Sequence, residues 1–188
     1  MVTKEDLLYR QIYTLKDGAR VLIRPLTKDD KQNLLDLFLP VPIEERRFIR
    51  HNINDPDVIS SWVDNIDYDT IFPLIAIVGD RIVGDATIHF NTGSARHRAE
   101  IRIFLAKDFR GRGLGTKLIQ GVKEIAKRRS IYLLEVQIVR DLINDIKALE
   151  KLGFQTACIY EDYFMLPDGE LRDVVHMLNR IRAPEGEF

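Results

Sequence analysis

The 188-residue chain has one cysteine, Cys158, so an internal disulfide and any cysteine-rich metal site are excluded and a reducing compartment fits. It has no apolar run approaching about 20 residues, so nothing in the sequence reads as a membrane span. The opening MVTKEDLLYR is charged and lacks the apolar core of a secretory leader. Neither charge sign dominates: 28 Lys and Arg stand against 29 Asp and Glu, net −1, with no general drive toward nucleic acid or an anionic membrane. Internal repeats and low-complexity linkers are missing. The four histidines, His51, His89, His97 and His176, show no metal-ligand spacing, and no metal is expected. What remains is 45% apolar and 30% charged, the balance of an ordinary globular chain, long enough for one well-buried domain and short for two.

The most informative stretch runs from Ala99 to Arg129. Ala99 to Leu105 is apolar and β-branched enough for a buried strand. Lys107 and Asp108 break that run, and Arg110-Gly111-Arg112-Gly113-Leu114-Gly115-Thr116 reads as a tight basic turn. From Leu114, apolar residues recur at Leu118, Ile119, Val122, Ile125 and Ala126 with helical spacing. Lys127, Arg128 and Arg129 close the helix where its dipole is negative. Glycines in such a turn let backbone approach a ligand, and the helix start offers unpaired N–H groups and partial positive charge. With Arg110, Arg112 and Lys117 beside it, the arrangement suits a pyrophosphate; the bland alternative is a turn that merely lets strand and helix pack. A P-loop is excluded because Gly115 is followed directly by Thr116 and Lys117. The dinucleotide fingerprint fits Gly111 and Gly113 but fails at Thr116, although Glu135 lies near where a ribose-binding acid would fall.

Around this stretch the pattern predicts a hairpin from Gln11 to Leu15 and Ala19 to Arg24, turning at Asp17-Gly18. Thr27 with Asp30 reads as a helix start ahead of Leu34, Leu35, Leu37 and Phe38, and Pro40 and Pro42 stop that helix. Further helical pieces are expected over Ile43 to His51 and Pro56 to Val63. Strands are expected over Phe72 to Val78 and Arg81 to Asn91, with Gly84 marking a bulge or a close approach. A strand over Leu133 to Val139, a helix over Leu142 to Leu152 ended by Gly153, and a hairpin of Gln155 to Phe164 with Leu171 to Leu178 follow. The tail from Arg182 to Phe188 is expected to fray. The inventory is an α/β (α+β) chain with a mixed central sheet flanked by helices. The acids Asp55, Asp57, Asp64, Asp67 and Asp69 beside Trp62 and Tyr68 either receive a cationic amine or form a solvated face, the second being favoured. Cys158 is expected to be buried.

Arg110-x-x-Gly113-x-Gly115 matches the Q/R-x-x-G-x-G/A signature of the GNAT acyltransferase superfamily, and Lys151-Leu152-Gly153-Phe154 resembles that family's second element at the expected distance. The resemblance covers roughly residues 20–178 and implies a single domain, 1–188, that moves an acyl group, usually acetyl, from coenzyme A to an amine. It implies that acetyl-CoA is the cosubstrate and that Arg110, Gly111, Arg112, Gly113, Leu114, Gly115 and Thr116 hold its pyrophosphate. Main-chain groups of Ile103, Phe104 and Leu105 would pair with the pantetheine arm. Ala99-Glu100-Ile101 resembles the "A-E-I" element of bacterial protein lysine acetyltransferases, which makes Glu100 the base that deprotonates the amine; burial among apolar neighbours would favour that role. A pairing of Glu100 with Arg98 or Arg102 is the structural alternative. The departures are Leu149, where relatives carry a Tyr that protonates the leaving thiolate, and Leu142, where relatives carry an Asn, with Asn144 two residues displaced. Tyr160 and Tyr163 are candidate substitutes. The acceptor is a protein lysine or a small-molecule amine, with no nucleic acid or membrane partner; a homodimer is left open, and the expected location is cytoplasmic. A non-catalytic acyl-CoA sensor is the competing class.

Overall fold

A computed structural model describes residues 1–181. The elements, in chain order, are α1 (Lys4–Leu7), β1 (Gln11–Thr14), β2 (Arg20–Pro25), α2 (Lys31–Phe38), α3 (Ile43–Arg46), α4 (Pro56–Asp64), β3 (Ile71–Val78), β4 (Arg81–Phe90), β5 (Arg98–Leu105), α5 (Leu114–Arg128), β6 (Leu133–Val139), α6 (Ile143–Lys151), β7 (Gln155–Met165) and β8 (Leu171–Arg180). This is the mixed α/β architecture that the pattern predicts. The expected fraying of 182–188 lies outside the described residues.

The chain divides into two compact units. One comprises Met1–His89 with Arg102–Ile125, the other Phe90–Ile101 with the chain from Ala126 onward. In the first, β1, β2, β3 and β4 pair successively and antiparallel. Leu34, Phe38, Ile59, Val63, Phe72, Leu74, Leu118 and Val122 are buried there. Gly84 fulfils both expectations at once. The β3–β4 register shifts from Ala76↔Gly84 to Ile77↔Ile82, a one-residue bulge. A Cβ on Gly84 would stand 2.9 Å from Leu105 Cδ2 and 3.0 Å from Leu118 Cδ1, so glycine is what lets α5 sit on β4. In the second unit β5 runs parallel to β6, β6 antiparallel to β8, and β8 antiparallel to β7.

Two expectations need correction. The piece from Ile43 to His51 is helical only to Arg46; beyond it the chain runs in turns and bends. Its five charged residues lack the apolar stripe that would hold a longer helix against a core. Cys158 is exposed, because β7 is solvent-facing along nearly its whole length.

The entry into α2 has a strong internal tie. Arg24 Nη1 and Nη2 each lie 2.7 Å from an Asp30 carboxylate oxygen, and the Thr27 N–H and hydroxyl donate to Oδ2 at 2.8 Å. Burial alone would raise the Asp30 carboxyl, but the hydrogen bonds from Arg24 and Thr27 outweigh it and hold it below the usual carboxylate range. Asp30 therefore stabilises the fold above about pH 4, its unfolded range, and that stability is lost as pH falls through its depressed folded value. Arg24→Ala leaves a buried carboxylate uncompensated and is expected to cost about 3 kcal/mol and to lower the melting temperature by roughly 10 °C at pH 7, the deficit shrinking on acidification. Calorimetric melts at pH 7 and pH 3 check this.

Candidate functional site

The strand-to-helix turn forms as its residue types require. β5 ends at Leu105, a short 3-10 turn covers Lys107–Phe109, and α5 begins at Leu114. Gly111 and Gly113 adopt φ of +71° and +91°, left-handed values that strain any residue with a Cβ. Nothing lies within 4 Å of where a Cβ at either position would stand, so these glycines answer to backbone conformation and leave open space above the turn. Leu114, 1% exposed, anchors the first turn of α5 in the core, while Thr116 stays exposed at its surface. A Cβ on Gly115 would meet Leu105 Cδ1 at 3.4 Å and Ile103 Cδ1 at 3.9 Å, so the helix start rests on the side chains of β5. The first N–H groups of α5 have no partner within the helix and carry its positive end.

The basic residues of the turn are engaged. Arg110 Nη2 lies 2.6 Å from Glu45 Oε2, and its Nε donates to the Leu105 carbonyl at 3.0 Å. Arg112 pairs with Asp17, donates to the Asp108 carbonyl at 3.1 Å and places its guanidinium 4.2 Å from the Phe109 ring centroid. Lys117 Nζ sits 4.7 Å from the centre of the Tyr13 ring. Glu45 and Asp17 thus occupy the guanidiniums expected to face a pyrophosphate.

On β5 the odd residues Ile103 and Leu105 face α5, so the even ones face the opposite side. There the Phe104 ring packs 5.0 Å from Phe38, which meets Trp62 edge-on at 5.5 Å. Arg102 Nη1 lies 2.9 Å from His51 Nε2, and the His51 ring meets Trp62 at 5.4 Å. The acids expected beside Trp62 have local duties: Asp55 caps α4, Asp64 pairs with Lys31, and Asp67 accepts from the Asp69 N–H and the Thr70 hydroxyl. All five, Asp57 and Asp69 included, are exposed to solvent.

In the second unit Glu100 is half-buried rather than enclosed. The parallel ladder of β5 with β6 runs Arg98↔Leu133, Ala99↔Leu134, Glu100↔Glu135 and ends there. Arg98, an expected partner of Glu100, instead holds Glu135 at 3.0 Å. Glu135 Oε2 also lies 3.6 Å from His176 Nε2, and the Tyr160 hydroxyl lies 3.2 Å from His176 Nδ1. Hydrogen bonding to the Cys158 thiol, with partial burial behind it, pushes the Tyr160 phenol above its ordinary value. Glu135, His176 and Tyr160 form a polar chain whose members come from three strands, which is why sequence spacing did not reveal it. Leu149, where relatives carry a Tyr, is 5% exposed and serves packing.

A second residue escaped the sequence reading. Asp85 lies in β4 among apolar neighbours, and its one hydrogen-bonding partner among the described residues is the Thr87 hydroxyl, at 3.0 and 3.3 Å. Burial pushes its pKa up to about 7, against the lowering effect of Thr87. The signal available was a lone acid in the run Arg81-Ile82-Val83-Gly84-Asp85-Ala86. No group of metal-ligating side chains occurs among the described residues, and no helix among them is long and apolar enough to cross a membrane.

Comparison with known proteins bears on the family and the fold. The profile of the Acetyltransferase (GNAT) family matches residues 34–154. The chain is 28% identical over 137 residues to an uncharacterized N-acetyltransferase of Methanocaldococcus jannaschii, a match that covers 71% of this chain and spans about 60% of that protein's length. The GNAT domain of a Streptomyces lividans protein described as PAT superposes with a TM-score of 0.76 at 17% identity, covering 96% of this chain and 99% of that one. A ribosomal-protein-alanine N-acetyltransferase from Brucella melitensis gives 0.73 at 24% identity, covering 84% and 98%. The family match spans more than half of the sequence and includes β5, the glycine turn and α5: the chain belongs to the acetyltransferase (GNAT) family.

Proposed function

We propose that the chain is an acetyl-CoA-dependent N-acetyltransferase acting on a primary amine, a protein lysine or a small molecule. The carrying observation is the turn Arg110–Thr116, with left-handed Gly111 and Gly113 presenting the amides at the head of α5 to open space. In this reading the turn holds the diphosphate of coenzyme A, and main-chain groups of Ile103, Phe104 and Leu105 align the pantetheine arm. The Leu105 carbonyl already accepts from Arg110, which ties the strand end to the turn.

Chemistry then follows from charge. An alkyl ammonium with a pKa near 10.4 is almost wholly protonated at neutral pH and cannot attack. Glu100 takes one of its protons, directly or through water. The freed nitrogen pair attacks the thioester carbonyl, an N–C bond forms, the C–S bond breaks, and the electron pair leaves on sulfur as thiolate. A main-chain N–H on β5 stabilises the transient oxyanion. The second nitrogen proton goes to solvent, and the thiolate takes one from solvent. No covalent enzyme intermediate is needed.

The test is thiol release from acetyl-CoA against a panel of amines and lysine peptides. Acceptor-dependent release supports transfer. Tight cofactor binding without release on any acceptor replaces it with the sensor reading.

Glu45 competes with the diphosphate for Arg110 in this account. Glu45→Gln frees that guanidinium and is expected to tighten coenzyme A about three- to tenfold at low salt, an advantage that fades as salt screens the surface charges. Titration at 20 and 500 mM salt checks it.

A further inference from the structure

Resting on the reading just given, the structure assigns Asp85 as the carboxylate that receives a cationic group of the acceptor, making the preferred substrate an amine with a second positive charge. The argument begins with direction. Gly84 faces α5, so Asp85, one residue on, faces the other side of β4. The Ala106 N–H donates to the Val83 carbonyl at 3.0 Å. Continuing that antiparallel ladder sets Asp85 opposite Phe104 and Thr87 opposite Arg102. Asp85 therefore shares a face with Phe104, on the strand segment assigned to the pantetheine arm and beside the wall of Phe38 and Trp62.

The charge balance there is incomplete. On β3 its neighbour is Ile75, and Thr87 stands beside Pro73. On β5 the neighbours are Phe104 and Arg102, and Arg102 is turned to His51. Arg110, near the Phe104 ring, is held by Glu45. Asp85 has no ion pair among the described residues and keeps only the Thr87 hydroxyl. A carboxylate without an ion pair, whose pKa burial raises to about 7 and whose one side-chain partner is a neutral hydroxyl, gains most from an arriving ammonium, which neutralises it.

The folded-state pKa of Asp85 stands above its unfolded value, so the stability tied to the neutral acid is full at low pH and is lost as pH rises from about 4 to 7. Asp85→Asn removes that loss, keeps a side-chain oxygen for the Thr87 hydroxyl, and should melt no lower than the wild type at pH 8. The experiment compares wild type and D85N with butylamine, 1,4-diaminobutane and a lysine-rich peptide. In the wild type, 1,4-diaminobutane at millimolar concentration should raise the melting temperature by several degrees and butylamine should not. Its kcat/KM should exceed that of butylamine at least tenfold, through KM. In D85N both preferences should fall to near unity while the coenzyme A Kd stays within twofold of wild type. A diamine shift that depends on Asp85 without thiol release on any acceptor would sustain this assignment and remove the transferase reading beneath it. Equal response to the two amines in the wild type, or an undiminished preference in D85N, overturns the assignment.

Discussion

Glu100→Gln is expected to lower kcat at pH 7 by about 100-fold or more while leaving the coenzyme A Kd within twofold. The substitution is nearly isosteric and keeps the hydrogen-bonding oxygen, but glutamine cannot accept a proton from an ammonium. Because the amine must then lose its proton to bulk solvent, the residual rate of the variant should climb about tenfold per pH unit toward the amine's own pKa near 10.4. Wild type and variant should converge by pH 9 to 10. A purely structural role for Glu100 would instead lower the melting temperature and leave the gap independent of pH. Unchanged kcat across pH would remove Glu100 from the mechanism.

The second large effect concerns the turn. Gly113 has φ of +91° with open space where a Cβ would go, so Gly113→Val meets no clash yet strains the backbone. A β-branched residue disfavours that region by more than about 1 kcal/mol. The least costly relief is to swing the peptide out of the left-handed region, which takes the amides before α5 off their common target. We expect coenzyme A to bind about 100-fold more weakly, with a fall in melting temperature of only a few degrees. Undiminished affinity in Gly113→Val would mean that the turn merely packs strand against helix.

Much of this was legible from order alone because it is local. The strand ending at Leu105, the glycine turn and the helix from Leu114 need only residue types and spacing over about 30 residues, and their observed bounds agree with the pattern within a residue or so. Gly84 was readable too, since an isolated strand glycine announces a bulge or a close contact, and here it is both. What was hidden is long-range. Arg110 meets Glu45 across 65 positions, so the turn's positive charge is smaller than its sequence suggests. The chain Glu135–His176–Tyr160 needs the register of β6, β7 and β8, which periodicity does not supply. Asp85 was missed because strand parity, not spacing, decides that it faces the Phe104 side. Cys158 was misjudged because its type favours burial, whereas a sheet-edge strand exposes nearly everything it carries.

The central claim is that amides at the head of α5 grip the diphosphate of an acyl-thioester cosubstrate. Titration calorimetry of the wild-type protein with acetyl-CoA tests it most directly. Saturable one-to-one binding, weakened by Gly113→Val and absent with NAD, is the predicted result. No heat with either coenzyme A or its acetylated form would contradict the account.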